Sequence, residues 1–370
     1  MRERRQIVGL WRQGGSAVLV TLVRVAGSSY RRPGARLLIG AGGEYAGTIS
    51  GGCLEAEVTR KAAWMVRNGA VVEQYSTMFD DTAEIPFGLG CGGVVDLLVE
   101  PADTPECVAL LEAMERSLIG REAKVVTWLP GEGKGLRRVV LGEDGAVRFA
   151  SDGLSGGKVD CAKELLEGGE YEGRFVEELR SPQRLFVLGA GDDAKPLVSM
   201  AALLGWNVTV ADGRGQLAHA ARFPEAERVV VVGQDGAAGL GIRRNDAAVL
   251  MTHSYEQDRA ILASLLPAAP GYMGLLGARH RSSLLVSEAA AMIGWTVAEC
   301  CELIHAPVGL DLGGDGAEAI ALAVIAEVQA FCQGKIGVSR RLTAESVAEQ
   351  IARGGASQYL QVQCSLAESR

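Results

Sequence analysis

One stretch constrains the fold of this chain more than any other. Leu185-Phe-Val-Leu188 runs straight into Gly189-Ala-Gly-Asp-Asp-Ala194, and the next apolar strand ends at Asp212, 21 residues after Gly191. A strand, a GxGxxA turn, a helix and a distal acid in that order read as the opening unit of a Rossmann-like domain. Gly189 permits the tight turn, Gly191 lets backbone approach a pyrophosphate, and Ala194 lets helix and strand pack closely, with Asp212 placed to bond ribose hydroxyls. From Arg184 onward, apolar runs at Leu185–Leu188, Val208–Ala211, Val229–Val232, Ala247–Met251 and Tyr272–Leu276 alternate with helical stretches. That alternation predicts a doubly wound parallel sheet. Asp192 and Asp193 stand at the start of its first helix, where they satisfy the helix dipole and repel a phosphate, so a scaffold without nucleotide affinity is a competing reading.

The rest of the chain is long enough for a second domain, since 370 residues exceed the usual domain size. Strand-like runs at Ala17–Ala26, Arg36–Ile39 and Val94–Glu100, with a helix over Leu54–Asn68 closed by Gly69, predict an N-terminal α/β domain over residues 1–120. Residues 121–183 carry short β-type runs between Pro130-Gly131, Gly142, Gly153 and Gly156-Gly157, and read as a β-rich connector. The Rossmann-like domain then occupies 184–333, and a tail over 334–370 holds one candidate helix, Ala344–Arg353.

Composition removes several classes of function. The net charge is −8 and no basic tract exceeds Arg4-Arg5 or Arg340-Arg341, which argues against nucleic acid as a partner. The longest helical apolar stretch, Ala317–Phe331, is broken by Glu318 and Glu327, so no segment reads as a membrane span. The apolar run Ile7–Trp11 is too short for a signal peptide, and a cytoplasmic protein is expected. Eight cysteines without a CxxC pair suggest thiols rather than a disulfide framework or structural zinc.

Two of those thiols stand apart. Ser50-Gly51-Gly52-Cys53-Leu54-Glu55 opens a helix, and a helix N-terminus favours the thiolate. Gly88-Leu-Gly-Cys91-Gly92-Gly93 places a second cysteine among glycines whose bare backbone admits a bulky ligand. Cys107, Cys161, Cys332 and Cys364 read as small hydrophobes, and Cys300-Cys301 as structural. Gly27-Ser-Ser-Tyr-Arg31-Arg32-Pro-Gly34 combines hydroxyls and guanidiniums suited to a phosphate, or forms a solvated turn. All four histidines lie at or beyond His219, which excludes a hydrolase triad confined to the first domain. In the second domain, Thr252-His253-Ser254 and Gly277-Ala-Arg279-His-Arg281 follow strand ends, where open parallel sheets bind ligands. Ile304-His305-Ala-Pro-Val-Gly-Leu-Asp311 reads equally as a site loop and as a structural turn.

Taken in order, these motifs resemble the xanthine dehydrogenase accessory (XdhC/CoxI) family. The N-terminal half carries Gly-Ser-Ser-Tyr-Arg-Arg-Pro-Gly, Ile49-Ser-Gly-Gly-Cys-Leu-Glu55 and Gly90-Cys-Gly-Gly93, and the C-terminal half carries Val187-Leu-Gly-Ala-Gly191, Asp212-Gly-Arg214, Met251-Thr-His253, Gly274-Leu-Leu-Gly277 with Arg279, and the His305 loop. The resemblance implies a maturation factor that binds the molybdenum cofactor, supports its sulfuration and delivers it to a molybdenum hydroxylase. It implies cofactor contacts at Arg31, Arg32, Gly51, Gly52, Cys53, Glu55, Cys91, Gly92, Gly93, Gly189, Gly191, Asp212, His253, Arg279 and His305, with Cys53 and Cys91 toward the metal. A cysteine desulfurase-type sulfur donor is the second implied partner, and a homodimer is the expected assembly. Tyr30 departs from the family, where proline is frequent. The alternative from the residues alone is an NAD(P)-dependent oxidoreductase with His253 or His305 as general acid.

Overall fold

Apolar runs too continuous for a half-exposed strand organise both halves of the chain. The computed structural model describes residues 1–52, 54–76, 93–131, 133–154, 173–233 and 237–337, and the chain divides into two compact units between Ser181 and Pro182.

The first unit opens with helix α1 (Arg2–Arg12), followed by β1 (Ala17–Ala26), β2 (Arg36–Gly40), β3 (Tyr45–Gly47), α2 (Glu55–Met65), β4 (Val71–Ser76) and β5 (Val94–Pro101). The strands form an antiparallel sheet in the order β3-β2-β1-β5-β4. Six successive residues of β1, Val18–Val23, are buried because both faces of this central strand are covered. Val18, Val20 and Leu22 pack with Val58 and Ala62 of α2, whereas Leu19 faces the core formed with α1 and the next helix. The predicted helix over Leu54–Asn68 is present as α2 plus a 3₁₀ turn, Val66–Asn68, and Gly69 ends it at φ +104°.

Helix α3 (Pro105–Leu118) starts with Pro105 and is capped by the Thr104 hydroxyl, which accepts from Cys107 N–H at 3.3 Å. Then come β6 (Ala123–Trp128), β7 (Arg137–Gly142), β8 (Val147–Ala150) and β9 (Arg174–Leu179), a second antiparallel sheet in the order β8-β7-β6-β9. Where the sequence reading expects exposed connections, these strands turn one face inward. Ala123, Val125, Val140 and Leu179 share a core with Leu110, Leu111 and Met114 of α3. A buried ion pair ties the two sheets together. Arg138 of β7 donates to both Glu100 carboxylate oxygens at 3.0 Å, to Thr127 Oγ at 3.0 Å and to Glu106 carbonyl at 2.7 Å. Arg36 and Glu177 form a second buried pair between the sheets.

The second unit contains β10 (Arg184–Leu188), α4 (Ala194–Leu203), β11 (Asn207–Asp212), β12 (Arg228–Val231), β13 (Ala247–Leu250), α5 (Tyr255–Ala268), β14 (Tyr272–Leu275), α6 (Arg279–Ile293), α7 (Val297–Cys301) and α8 (Ala317–Cys332). All five strands are parallel, in the order β12-β11-β10-β13-β14. Leu185 and Val187 of β10 face α4 and α8, while Phe186 and Leu188 face α5 and α6. This is the doubly wound α/β sheet that the glycine turn and strand spacing predict. Its strand order reverses between β10 and β13, where such sheets open a crevice at their carboxyl ends. The candidate helix Ala344–Arg353 lies outside the described residues.

Candidate functional site

Three glycine-bearing segments meet at one end of the first sheet. The loop after β1, Gly27–Gly34, approaches the loop after β3 so closely that a Cβ on Gly51 would stand 3.3 Å from the Tyr30 ring. A Cβ on Gly93, just before β5, would lie 2.1 Å from the Ser28 carbonyl oxygen. At Gly93 the backbone leaves no room for a side chain, so glycine there follows from packing as well as from any ligand, whereas at Gly51 the exposed Tyr30 ring would have to shift only slightly.

Glu55 builds the second of these loops. Its buried carboxylate accepts from Ile49 N–H at 3.1 Å, Ser50 N–H at 2.9 Å and Gly52 N–H at 3.0 Å, and also from the hydroxyls of Thr48 and Ser50. Burial opposes the charged form, but the Ser50 and Thr48 donors outweigh it and hold the carboxyl down at about 2. Glu55 is therefore spent on building the loop itself. Gly52 takes φ +111° with open space around its missing Cβ. Arg31 is ion-paired with Glu3, 3.0 Å from Nη1 to Oε1, so Arg32, which is exposed, is the guanidinium of the pair turned to solvent. Cys53, Cys91 and Gly92 lie outside the described residues.

In the second unit, Gly189 sits at φ +136°, and a Cβ there would lie 2.3 Å from the Met251 carbonyl oxygen. Asp212 lies under the turn and does not reach outward to a ribose. One carboxylate oxygen accepts from Ala190 N–H at 2.8 Å and Arg214 Nη2 at 2.7 Å, the other from Arg214 N–H at 2.8 Å and Nε at 2.9 Å. Four donors saturate the carboxylate. Burial pushes its pKa up and the Arg214 bonds pull it down further, leaving it below the ordinary aspartate value. The side chain of Asp193 folds back over the glycine turn, with Oδ1 2.4 Å from where a Gly191 Cβ would stand, and its Oδ2 is 2.8 Å from His253 Nε2. Asp192 pairs with Lys195 at 2.7 Å and Arg222 at 2.8 Å. Both carboxylates are held by neighbouring basic side chains and neither caps α4. Gly189, Gly191, Asp212 and His253 are thus gathered at the carboxyl ends of β10, β11 and β13, with carboxylates where a pyrophosphate would lie. His253 itself has φ +61°, an uncommon conformation for a residue with a side chain.

Both halves match known family models, the XdhC and CoxI family over residues 10–76 and the XdhC Rossmann domain over residues 185–328. The chain belongs to the XdhC and CoxI family. Among its relatives, it is 28% identical over 325 residues to a probable xanthine dehydrogenase subunit of Bacillus subtilis, covering 84% of this chain and 92% of that one. It is 27% identical over 320 residues to the molybdenum cofactor insertion chaperone PaoD of Escherichia coli, covering 85% and 83%. A crystal structure of a xanthine dehydrogenase from Bacillus halodurans aligns at TM-score 0.78 and 25% identity, over 94% of this chain and 99% of that one.

Within this XdhC-type chain, the remaining expected residues are scattered. Arg279 is exposed at the first position of α6. Arg281 is bound to Asp258 at 2.7 Å, and Asp258 in turn accepts from the Thr252 hydroxyl at 2.7 Å. His305 lies apart from His253. Its ring stacks on Tyr272, the first residue of β14, with centroids 4.5 Å apart, and its Nδ1 faces Glu327 at 3.5 Å. Glu327 also accepts from Gly309 N–H at 2.8 Å, and the His305 loop runs along β14, with His305 N–H donating to the Met273 carbonyl at 2.8 Å and Val308 N–H to the Leu275 carbonyl at 3.1 Å. Of the cysteines read as structural, Cys107 and Cys300 are buried free thiols, while Cys301 and Cys332 are exposed free thiols. Sequence reasoning did not single out Thr48 or Gln257, and it quoted Arg214 and Ser50 only as members of motifs, without the roles seen here. Arg214 is the most legible of them, two residues beyond an acid at a strand end. Among the described residues, no helix is long and apolar enough to cross a membrane.

Proposed function

We propose that this protein is a cytoplasmic maturation factor that holds the molybdenum cofactor as cargo, supports its sulfuration and hands it to a molybdenum hydroxylase. The observation that carries the reading is the meeting of the Gly27–Gly34 loop, the Glu55-built loop and Gly93 at one sheet end. That arrangement suits such cargo. Open backbone at Gly52 leaves room for a bulky group, and the exposed Arg32 guanidinium offers a bidentate partner to the pterin phosphate. Arg31 serves by pairing with Glu3 and holding the loop. Cys53 and Cys91 supply the soft ligands that molybdenum and sulfur chemistry favour, and receive sulfur from a cysteine desulfurase-type donor. The relatives' names support the cargo and the target class. A homodimer is the proposed assembly.

The test is molybdenum retained per chain after mixing with released cofactor and gel filtration. Wild type should retain the metal, Arg32→Ala should weaken retention about tenfold, and Cys53→Ala or Cys91→Ala should abolish it. No retention by wild type sinks the reading.

A further inference from the structure

Helix α2 carries a basic and aromatic stripe that faces away from its own core. Val58, Ala62 and Met65, at i, i+4 and i+7, are buried against the first sheet. On the opposite side Ala56, Arg60, Ala63, Trp64 and Arg67 are exposed, with Arg67 in the 3₁₀ turn that follows the helix. Their three- and four-residue spacing makes them one continuous stripe. Trp64 is 65% exposed, although tryptophan is among the side chains most buried on average. The Arg67 guanidinium lies 4.0 Å over the centre of the indole and donates to the Trp64 carbonyl at 3.4 Å, so the ring is held while most of its surface stays in water.

The charge of the stripe is not neutralised from within. Lys61 is spent on Glu57 at 2.6 Å, whereas among the described residues Arg60 has neither an ion pair nor a hydrogen bond, and Arg67 meets only Trp64. Two guanidiniums without carboxylates around an exposed indole are a local reversal of sign on a chain of net charge −8. Tryptophan and arginine are also the side chains that most often carry the binding energy of protein interfaces. Their position in the fold adds to this. α2 begins at Glu55, whose carboxylate builds the Thr48–Gly52 loop, and Trp64 stands roughly 14 Å further along the axis at 1.5 Å per residue.

We propose that this stripe docks the protein that receives the cargo, through an acidic surface on that partner with an apolar recess for the indole. Naming the partner as the cargo-accepting molybdenum hydroxylase rests on the carrier reading, while the surface itself rests on α2 alone. Other occupants fit less well. Two copies of this chain paired about the stripe would set guanidiniums against guanidiniums, and a two-fold interface needs a self-complementary patch. An anionic membrane would repel a chain of net charge −8 and would find one indole among alanines and arginines, without the broad apolar face that interfacial helices bury. Against an acidic protein the guanidiniums speed encounter, and the indole, once desolvated, slows release.

Surface plasmon resonance of the full chain against the purified, cofactor-free molybdenum hydroxylase of the same organism tests this. Wild type should bind, with an association rate that falls as salt rises. Arg60→Glu should lower the association rate and flatten its salt dependence, and Trp64→Ala should weaken affinity about tenfold or more, mainly through faster dissociation. Neither side chain belongs to the core, so both variants should keep the wild-type Tm and the wild-type retention of molybdenum. Absence of retention by wild type would fail the carrier reading, and the affinities would still decide the docking surface. The proposal is overturned by no binding of wild type, by wild-type affinity in both variants, by variants that convert a dimer to a monomer in gel filtration, or by wild-type binding to phosphatidylserine vesicles that the variants lose.

Discussion

At the scale of single residues, the side chains that decide this structure are carboxylates turned inward. Glu55 gathers two hydroxyls and three backbone N–H groups onto one buried carboxylate. Its carboxyl is held at about 2, below its value in the unfolded chain. A depressed folded pKa contributes stability that is present above the unfolded value and is lost as pH falls through the folded one. Glu55 should therefore contribute roughly 2 to 3 kcal/mol above about pH 4.5, fading toward pH 2. Urea unfolding of wild type and Glu55→Gln at several pH values should show a gap that closes across that window, and a gap of constant size would refute the assignment. Gly189 makes a complementary case. With φ +136° and the Met251 carbonyl in the place of a Cβ, Gly189→Ala should cost roughly 2 to 4 kcal/mol, read as a lowered Tm.

Between elements, the first unit depends on a charge pair that would be hard to justify on its own. Arg138 and Glu100 are each about 1% exposed and join β7 to β5 across two sheets. Removing one partner strands the other, so Arg138→Met should destabilise by about 3 to 5 kcal/mol. The double variant Arg138→Met, Glu100→Leu should recover much of that loss, because well-packed apolar groups avoid the desolvation penalty. Denaturant unfolding of the single and double variants measures the coupling; additive losses would show that the pair does not act as a unit. In the second unit the corresponding joint is made through backbone. Arg214 reaches from β11 to the Thr252 carbonyl after β13, and Arg222 bonds the Ala190 carbonyl, so the glycine turn is held by guanidiniums.

Over the whole molecule, each hydrophobic core draws its members from one unit. The two largest clusters lie between Leu185 and Val328, and the other four between Ile7 and Leu179. Units with separate cores can unfold separately. Differential scanning calorimetry should resolve two transitions, with Gly189→Ala shifting one and Arg138→Met the other. A single transition that both variants move together would contradict this.

Much of the second unit was legible from residue order alone. A parallel strand buried on both faces has to be apolar throughout, and a GxGxxA turn has few other uses, so β10 to β14 and their helices follow from local pattern. The helix over Leu54–Asn68 was legible for the same reason, through periodicity and a closing glycine. The four-stranded sheet β6–β9 was harder to place, because short alternating strands look alike whether their inner face meets a helix or solvent; packing against α3 decided that. The site divided along the same line. Sequence singled out loops at strand ends, since glycines and strand ends are local features. It could not say that Asp212 is consumed by Arg214, that Asp193 bends over Gly191 toward His253, or that Gln257 is left without a partner for its Oε1. Which donor reaches which acceptor depends on distances between segments far apart in the chain, and only the tertiary structure sets those distances.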